Sequence, residues 1–315
     1  MLAPIVHRTP CKQSKTLNAI TGSEVSLKLE NLQRTGSFKV RGAFNKVSQL
    51  TSEECRKGII AASAGNHAQG VALAGKEKEV PVTIFMPEGT PDAKVMATRR
   101  YGANVELVGG SFDEAYVAAR KEQLLTGAAF VHPFDDMAVI EGQATVAMEM
   151  MQQCPDLDTI VVPAGGGGLL AGTAIAVKLL RPSIRVIGVQ ARAASAIASI
   201  FHGTQNSQVP FLPTMAEGIK VKEPGKLTMK IIETYVDDVV TVSEQEIASS
   251  ILFMLEREKT LVEGAGAAAI AAVLCGHLPF HSSNTGIIVS GGNFDIGKLS
   301  ACKQTATAIS TANSF

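Results

Sequence analysis

Thr159-Ile160-Val161-Val162-Pro163-Ala164-Gly165-Gly166-Gly167-Gly168-Leu169-Leu170-Ala171-Gly172 runs from an apolar strand, through four glycines, into an apolar helix that reaches Leu180 and stops before Pro182. A short apolar strand, a glycine-rich turn and a helix make up the repeating unit of a parallel, doubly wound sheet. The same rhythm recurs on both sides of this stretch. Upstream, strands at 58–62, 82–86 and 104–108 precede helices at 68–77, 91–101 and 112–125, and a second winding opens near Asp135 with a helix at 139–152. Downstream, a strand at 184–190, helices at 244–258 and 265–274, and a strand at 286–290 complete it. Near the start, 24–30 alternates as a strand should, and a helix follows whose apolar face carries Phe38, Ala43, Phe44 and Val47. The tail after Lys303 has no clear period, so poor order is expected there.

We therefore expect an α/β protein with two open, doubly wound, mostly parallel sheets in a large and a small domain. Residues 1–53 and 135–315 would form the large domain and 54–134 the small one, with the active site in the cleft between them. Ligands of such sheets bind beyond the carboxyl ends of strands. The loops at Ser63 to His67, Gly165 to Gly168 and Ser290 to Asn293 all follow strands and so fall at such ends.

Composition narrows the function. The 315 residues carry 29 basic and 29 acidic side chains, so no net field recruits nucleic acid or an anionic membrane. No apolar stretch reaches membrane-spanning length, and the start lacks a basic segment followed by a long apolar run. Five scattered cysteines without a CxxC pair argue for free thiols in a reducing compartment, and the six histidines show no metal-ligand spacing. A cytoplasmic location is expected.

Three loops carry the chemistry. Four glycines between strand and helix leave backbone amides open to wrap a phosphate, where a tight turn alone would need one or two. Residues 166–171 also fit GxGxxA, so a nicotinamide dinucleotide competes. Against it, the next strand ends at Gln190, where that cofactor wants an acidic residue for its ribose. Ser63-Ala64-Gly65-Asn66-His67 offers a hydroxyl, an amide and a helix start to an oxygen anion, although plain N-capping would use the same residues. Lys39, in Gly36-Ser37-Phe38-Lys39-Val40-Arg41-Gly42-Ala43, becomes nucleophilic if Phe38 and Val40 desolvate it or if Arg41 or a bound cofactor supplies positive charge. Ser290, ending a strand beside two glycines, could hydrogen-bond a ring nitrogen or serve only as a turn serine.

Lysine, phosphate cup and polar loop together suit pyridoxal phosphate. Residues 31–43, Ser63-Ala64-Gly65-Asn66-His67-Ala68-Gln69-Gly70, the glycine run and Ser290-Gly291-Gly292-Asn293 resemble the fold-type II pyridoxal phosphate enzymes. Within these the chain is most similar to the serine/threonine dehydratases, the short catabolic kind in particular. The resemblance implies that Lys39 attaches the cofactor and moves the substrate α-proton, and that Phe38 packs on the ring. Asn66 would bind the ring phenolic oxygen, and Gly165, Gly166, Gly167, Gly168 and Leu169 the phosphate. Ser290 would face the ring nitrogen, and Ser63, Ala64, Gly65, Asn66 and His67 would line the substrate site. The implied reaction is elimination and deamination of L-threonine or L-serine to 2-oxobutyrate or pyruvate and ammonia.

Serine racemisation and hydroxyaspartate elimination on the same scaffold, or a nicotinamide-dependent oxidation, are the alternatives. Ala64 stands where the similar serine racemases carry a second serine, which favours elimination. Glu217 matches one acidic ligand of their cation site, whereas Pro213 stands where a second would be, so a monovalent or divalent cation on Glu217 is one expectation and a solvated loop carboxylate the other. Glu263 lies where the family keeps an acidic residue near the pocket. A homodimer or homotetramer without a C-terminal regulatory domain is expected.

Overall fold

The computed structural model describes residues 5–204 and 211–306. The expected loose tail lies, beyond 306, outside the described residues, as do the first four positions. Ten strands are found among the described residues: β1 (Cys11–Gln13), β2 (Glu24–Leu29), β3 (Ile59–Ala62), β4 (Val82–Met86), β5 (Asn104–Leu107), β6 (Ala129–Phe130), β7 (Thr159–Pro163), β8 (Arg185–Ala191), β9 (Asp238–Val242) and β10 (Asn284–Val289). They form a six-stranded sheet in the order β1-β2-β10-β7-β8-β9 and a four-stranded sheet in the order β5-β4-β3-β6. Every pairing is parallel except β1 with β2, which is antiparallel and makes the larger sheet mixed.

The central strands are mostly apolar because helices cover both faces. All residues of β3 and β7 are buried, whereas the edge strand β5 buries only Val105. Helix ends follow local chemistry: Thr51 with Glu54, Ser111 with Glu114 and Ser243 with Glu246 form capping boxes.

A stack of helices joined through glycines sets the distance between the two sheets. A Cβ on Gly172, in the Gly168–Leu180 helix, would lie 2.5 Å from the Ile140 carbonyl oxygen of the Met137–Gln153 helix. One on Gly142 would lie 2.5 Å from the Arg41 carbonyl oxygen and 2.6 Å from the Gly42 Cα of the Lys39–Ser48 helix. One on Gly70, in the Asn66–Glu77 helix, would lie 3.1 Å from the carbonyl carbon of Lys39. Backbone meets backbone at each crossing, so these helices hold their separations with little freedom.

Two features differ from the sequence reading. Strands β1, β6 and β9 and the helices Lys15–Thr21, Ser52–Lys57 and Lys226–Tyr235 were not expected; most are short, but Lys226–Tyr235 carries an apolar face of Met229, Ile231 and Ile232 that was legible in the sequence. The strands of the two sheets fall on either side of the expected boundaries at 53/54 and 134/135. However, the Lys39–Ser48 helix buries Val40, Ala43, Phe44 and Val47 in one apolar cluster with Ile59, Ala61 and Val71 of the smaller unit.

Candidate active site

Lys39 is the first residue of its helix, and the segment before it is tied to the loop after β10. Phe38 donates its amide to the Ser290 carbonyl (3.1 Å), Gly292 donates to the Gly36 carbonyl (2.9 Å), and Ser37 pairs with Gly291 as an isolated bridge. Gly36 sits at φ 72°, a left-handed turn that a side chain would strain. The Lys39 ammonium donates to the Pro133 carbonyl at 2.8 Å and lies 5.3 Å from the Phe38 ring centroid.

Burial pushes the Lys39 amine down to about 8, against the opposing pull of the Glu263 carboxylate. Arg41, expected as a source of charge for Lys39, turns away from it. Its guanidinium is fully buried between Glu30 (2.8 Å) and Glu149 (2.7 Å), and Glu149 also takes the Lys28 ammonium at 2.7 Å. The cause is helical geometry, since residues two apart project on nearly opposite faces.

Asn66 opens the helix after β3. Its amide nitrogen donates to Glu263 at 2.6 Å, and its oxygen accepts from Asn293 at 2.7 Å. Asn293 also donates to the Thr35 carbonyl at 2.8 Å, so one side chain links the Lys39 and Asn66 loops. Burial raises the Glu263 carboxyl to about 7, with the Asn66 hydrogen bond acting in the opposite direction. Ser63, Ala64 and Gly65 are half-buried, and the Ser63 hydroxyl takes the Gly65 amide at 3.2 Å. The amides of Ala64, Asn66 and His67 have no acceptor among the described residues. The His67 ring is buried and bonded to the Val131 carbonyl at 2.8 Å, and burial lowers it to about 3, so it is neutral. What His67 can offer a carboxylate is its backbone amide.

The glycine loop lies against residues the sequence did not single out. Phe134 packs where Cβ atoms on Gly166 and Gly168 would be, and Thr228 stands 2.8 Å from where one on Gly167 would be. Gly167 is at φ 96°. The Thr228 hydroxyl donates to the Gly166 carbonyl at 2.7 Å, and Asp135 caps the Lys226–Tyr235 helix by accepting from the Leu227 amide at 2.9 Å. Pro133 and Phe134 are chain neighbours, so the lysine amine and the glycine loop are brought to one place through a single dipeptide. Its position in the loop after β6 was the available signal, and the brevity of β6 hid it.

The loop passes a test for an anion. Among the described residues nothing accepts from the amides of Gly165, Gly166, Gly167, Gly168 and Leu169, and Gly166 to Leu169 are buried. Buried amides ordinarily find partners. Five consecutive free donors at the start of a thirteen-residue helix fit a phosphate group. Leu169 belongs to the apolar cluster against which Phe38 packs. Ser290, just after β10, is buried, and its hydroxyl makes no hydrogen bond among the described residues.

The surroundings of Glu217 do not fit a cation. Its carboxylate is paired with Lys94 at 3.0 Å and with Lys298, two ammonium groups in place of further oxygen ligands. No group of three or more His, Cys, Asp or Glu side chains that could hold a metal occurs among the described residues.

A family profile described as "Pyridoxal-phosphate dependent enzyme" matches residues 2–291. The chain belongs to this pyridoxal phosphate-dependent family. That membership removes the nicotinamide alternative for the glycine run. Among family relatives, an L-threonine ammonia-lyase of Thermotoga maritima is 50% identical over 299 residues, covering 95% of this chain and 74% of that one. The catabolic L-threonine dehydratase TdcB of Escherichia coli K12 is 44% identical, covering 95% and 92%. In structure, the processed threonine deaminase isoform 2 of Solanum lycopersicum superposes with a TM-score of 0.89 at 36% identity, over 96% and 84% of the two chains. Maize serine racemase gives 0.91 at 36%, over 96% and 93%.

Proposed function

We propose that this chain is a threonine/serine ammonia-lyase, converting L-threonine to 2-oxobutyrate and ammonia, and L-serine to pyruvate and ammonia. The observation that carries the reading is the meeting of the Lys39 amine, poised at about 8, with five unsatisfied amides through Pro133 and Phe134. The names of the threonine ammonia-lyase and dehydratase relatives support the substrate class.

In this reading Gly165, Gly166, Gly167, Gly168 and Leu169 would hold the cofactor phosphate, Phe38 would pack on the ring, and Asn66 and Ser290 would offer hydrogen bonds to its phenolic oxygen and its nitrogen. Pyridoxal phosphate supplies an electron sink for the pair left when the substrate α-proton departs. Lys39 anchors it and then serves as the base that takes this proton. Ser63, Ala64, Gly65, Asn66 and His67 bind the substrate carboxylate, chiefly through amides at a helix start. The β-hydroxyl would take up a proton and leave as water, and the enamine released would take up water to give the oxo acid and ammonia. A neutral serine at the ring nitrogen gives a weaker sink than a carboxylate would, which suits rapid elimination over a long-lived carbanion.

The similarity to maize serine racemase favours racemisation as a second reading. Ala64 weighs against it, because a methyl group cannot move a proton on the opposite face of the substrate. We also propose the division into a cofactor unit, 1–53 with 135–315, and a smaller substrate-side unit, 54–134. The protein would act as a cytoplasmic homodimer or homotetramer. No helix of the described residues is long and apolar enough to cross a membrane, and the five cysteines are free thiols.

The test is borohydride trapping of purified protein followed by mass spectrometry, with an assay of 2-oxobutyrate from threonine. A pyridoxyl group on Lys39 and loss of turnover in Lys39→Ala are expected. An adduct on another lysine, or near-normal activity of Lys39→Ala, would sink the assignment.

A further inference from the structure

Away from the cofactor site, two cysteines far apart in sequence meet. Cys11 lies in the edge strand β1, and Cys154 ends the Met137–Gln153 helix, where its amide donates to the Met150 carbonyl at 2.8 Å. Their sulfurs are 2.9 Å apart across a separation of 143 residues, and both side chains are half-buried. Closing a bond of the usual disulfide length of about 2.05 Å requires an approach of under about 1 Å.

We propose that Cys11 and Cys154 are a reversible redox pair that takes a low-molecular-weight disulfide as its oxidant. The Cys154 thiolate attacks one sulfur of the oxidant, forming a mixed disulfide and expelling one thiolate. The Cys11 thiol then gives up its proton and attacks the Cys154 sulfur, expelling the second thiolate and leaving the Cys11–Cys154 bond. Two protein thiols are oxidised, and one small disulfide is reduced to two thiols.

The surroundings assign these roles. The hydrogen bond shared with Cys11 is the main cause that lowers the Cys154 thiol, burial opposes it, and Ser26 and the Lys28 ammonium reinforce it. Cys11 is raised by that same bond and by burial, so it is the reserve thiol. Lys28 is its partner across the β1–β2 ladder. The other cysteines lack such a setting. Burial pushes Cys275 up to about 11 and also raises Cys302, whose thiol is bonded to the Ala248 carbonyl at 3.5 Å, while the Cys55 thiol is bonded to the Leu50 carbonyl at 3.9 Å.

The bond would staple an edge strand to the end of the helix that carries Glu149 and Gln153. Both of these hold Lys28, and Glu149 also holds Arg41 on the Lys39 helix. The closed loop contains Lys39 and the whole four-stranded sheet.

The experiment is incubation of the holoenzyme with oxidised glutathione, peptide mapping without reduction, and thermal unfolding. A linked Cys11–Cys154 peptide lacking two hydrogens is expected. Its formation should raise Tm by about 5 °C or more, since a long loop is closed in the unfolded chain, and dithiothreitol should reverse both changes. Cys11→Ser and Cys154→Ala should each lose the link and the Tm rise, while Cys55→Ser keeps them. A stable glutathione adduct on Cys154 without the link, linkage through another cysteine, or a Tm rise that survives in Cys154→Ala would overturn the proposal.

Discussion

Lys39 and Glu263 interact through their charges, and burial pulls their ordinary ionisation ranges together. Burial brings the amine down to about 8 and the carboxyl up to about 7. At pH 7.5 about a quarter of such an amine is neutral, against about 0.1% for an unperturbed lysine. Cofactor capture by the apoprotein should therefore rise with pH and level off above 8. The Glu263 carboxylate favours the ammonium form, so Glu263→Gln should move that midpoint to lower pH and speed capture at pH 7. Stopped-flow absorbance across pH reads this, and a midpoint that moves upward or stays put contradicts the pairing. Glu30 and Arg41, both fully buried, form a harder pair. Glu30→Gln leaves a buried guanidinium with less compensation, and its cost should be about 3–5 kcal/mol in urea unfolding.

At the scale of elements, the glycine crossings decide where the loops end up. Gly142→Ala sets two effects against each other. Alanine improves helix propensity by about 0.5–1 kcal/mol, but its methyl group would meet the Arg41 carbonyl and Gly42 Cα, both backbone atoms that cannot rotate aside. Overpacking of this kind costs about 1–3 kcal/mol. Net destabilisation is expected, together with weaker cofactor retention as the Lys39 helix is pushed out. A variant with a raised urea midpoint and unchanged cofactor affinity would show that the crossing is looser than its distances indicate.

Across the whole molecule, Glu217 joins the two parts of the chain through Lys94, while its pair with Lys298 stays within the larger one. Lys94 belongs to the Asp92–Arg100 helix beside the four-stranded sheet, whereas Lys298 lies next to the last helix of the larger unit. These groups are each about half exposed. Exposed pairs contribute about 0–1 kcal/mol and are screened by salt. Lys94→Met should therefore change the urea midpoint by less than about 1 kcal/mol in equivalent stability, and the difference should vanish in 1 M salt. A larger effect that persists in salt would make the clasp a structural element. The fold itself rests on the helix stack and the buried strands.

The sequence by itself determined the α/β class, the strand–loop–helix order and the residues of three loops. Strand runs such as 159–163 and 58–62, and glycines in a row, leave their mark locally. It also located Lys39, Asn66 and the glycine run through motifs whose spacing within the chain is fixed. Only the tertiary structure decided what those residues touch. Pro133 and Phe134 receive the lysine and back the glycines, Asn293 ties two loops together, Arg41 faces away from Lys39, and Glu217 holds two lysines. Apart from the Arg41–Glu30 pair, these contacts join segments tens to hundreds of residues apart. Such partners are chosen by the packing of helices and sheets, and the local pattern of side chains carries no record of them.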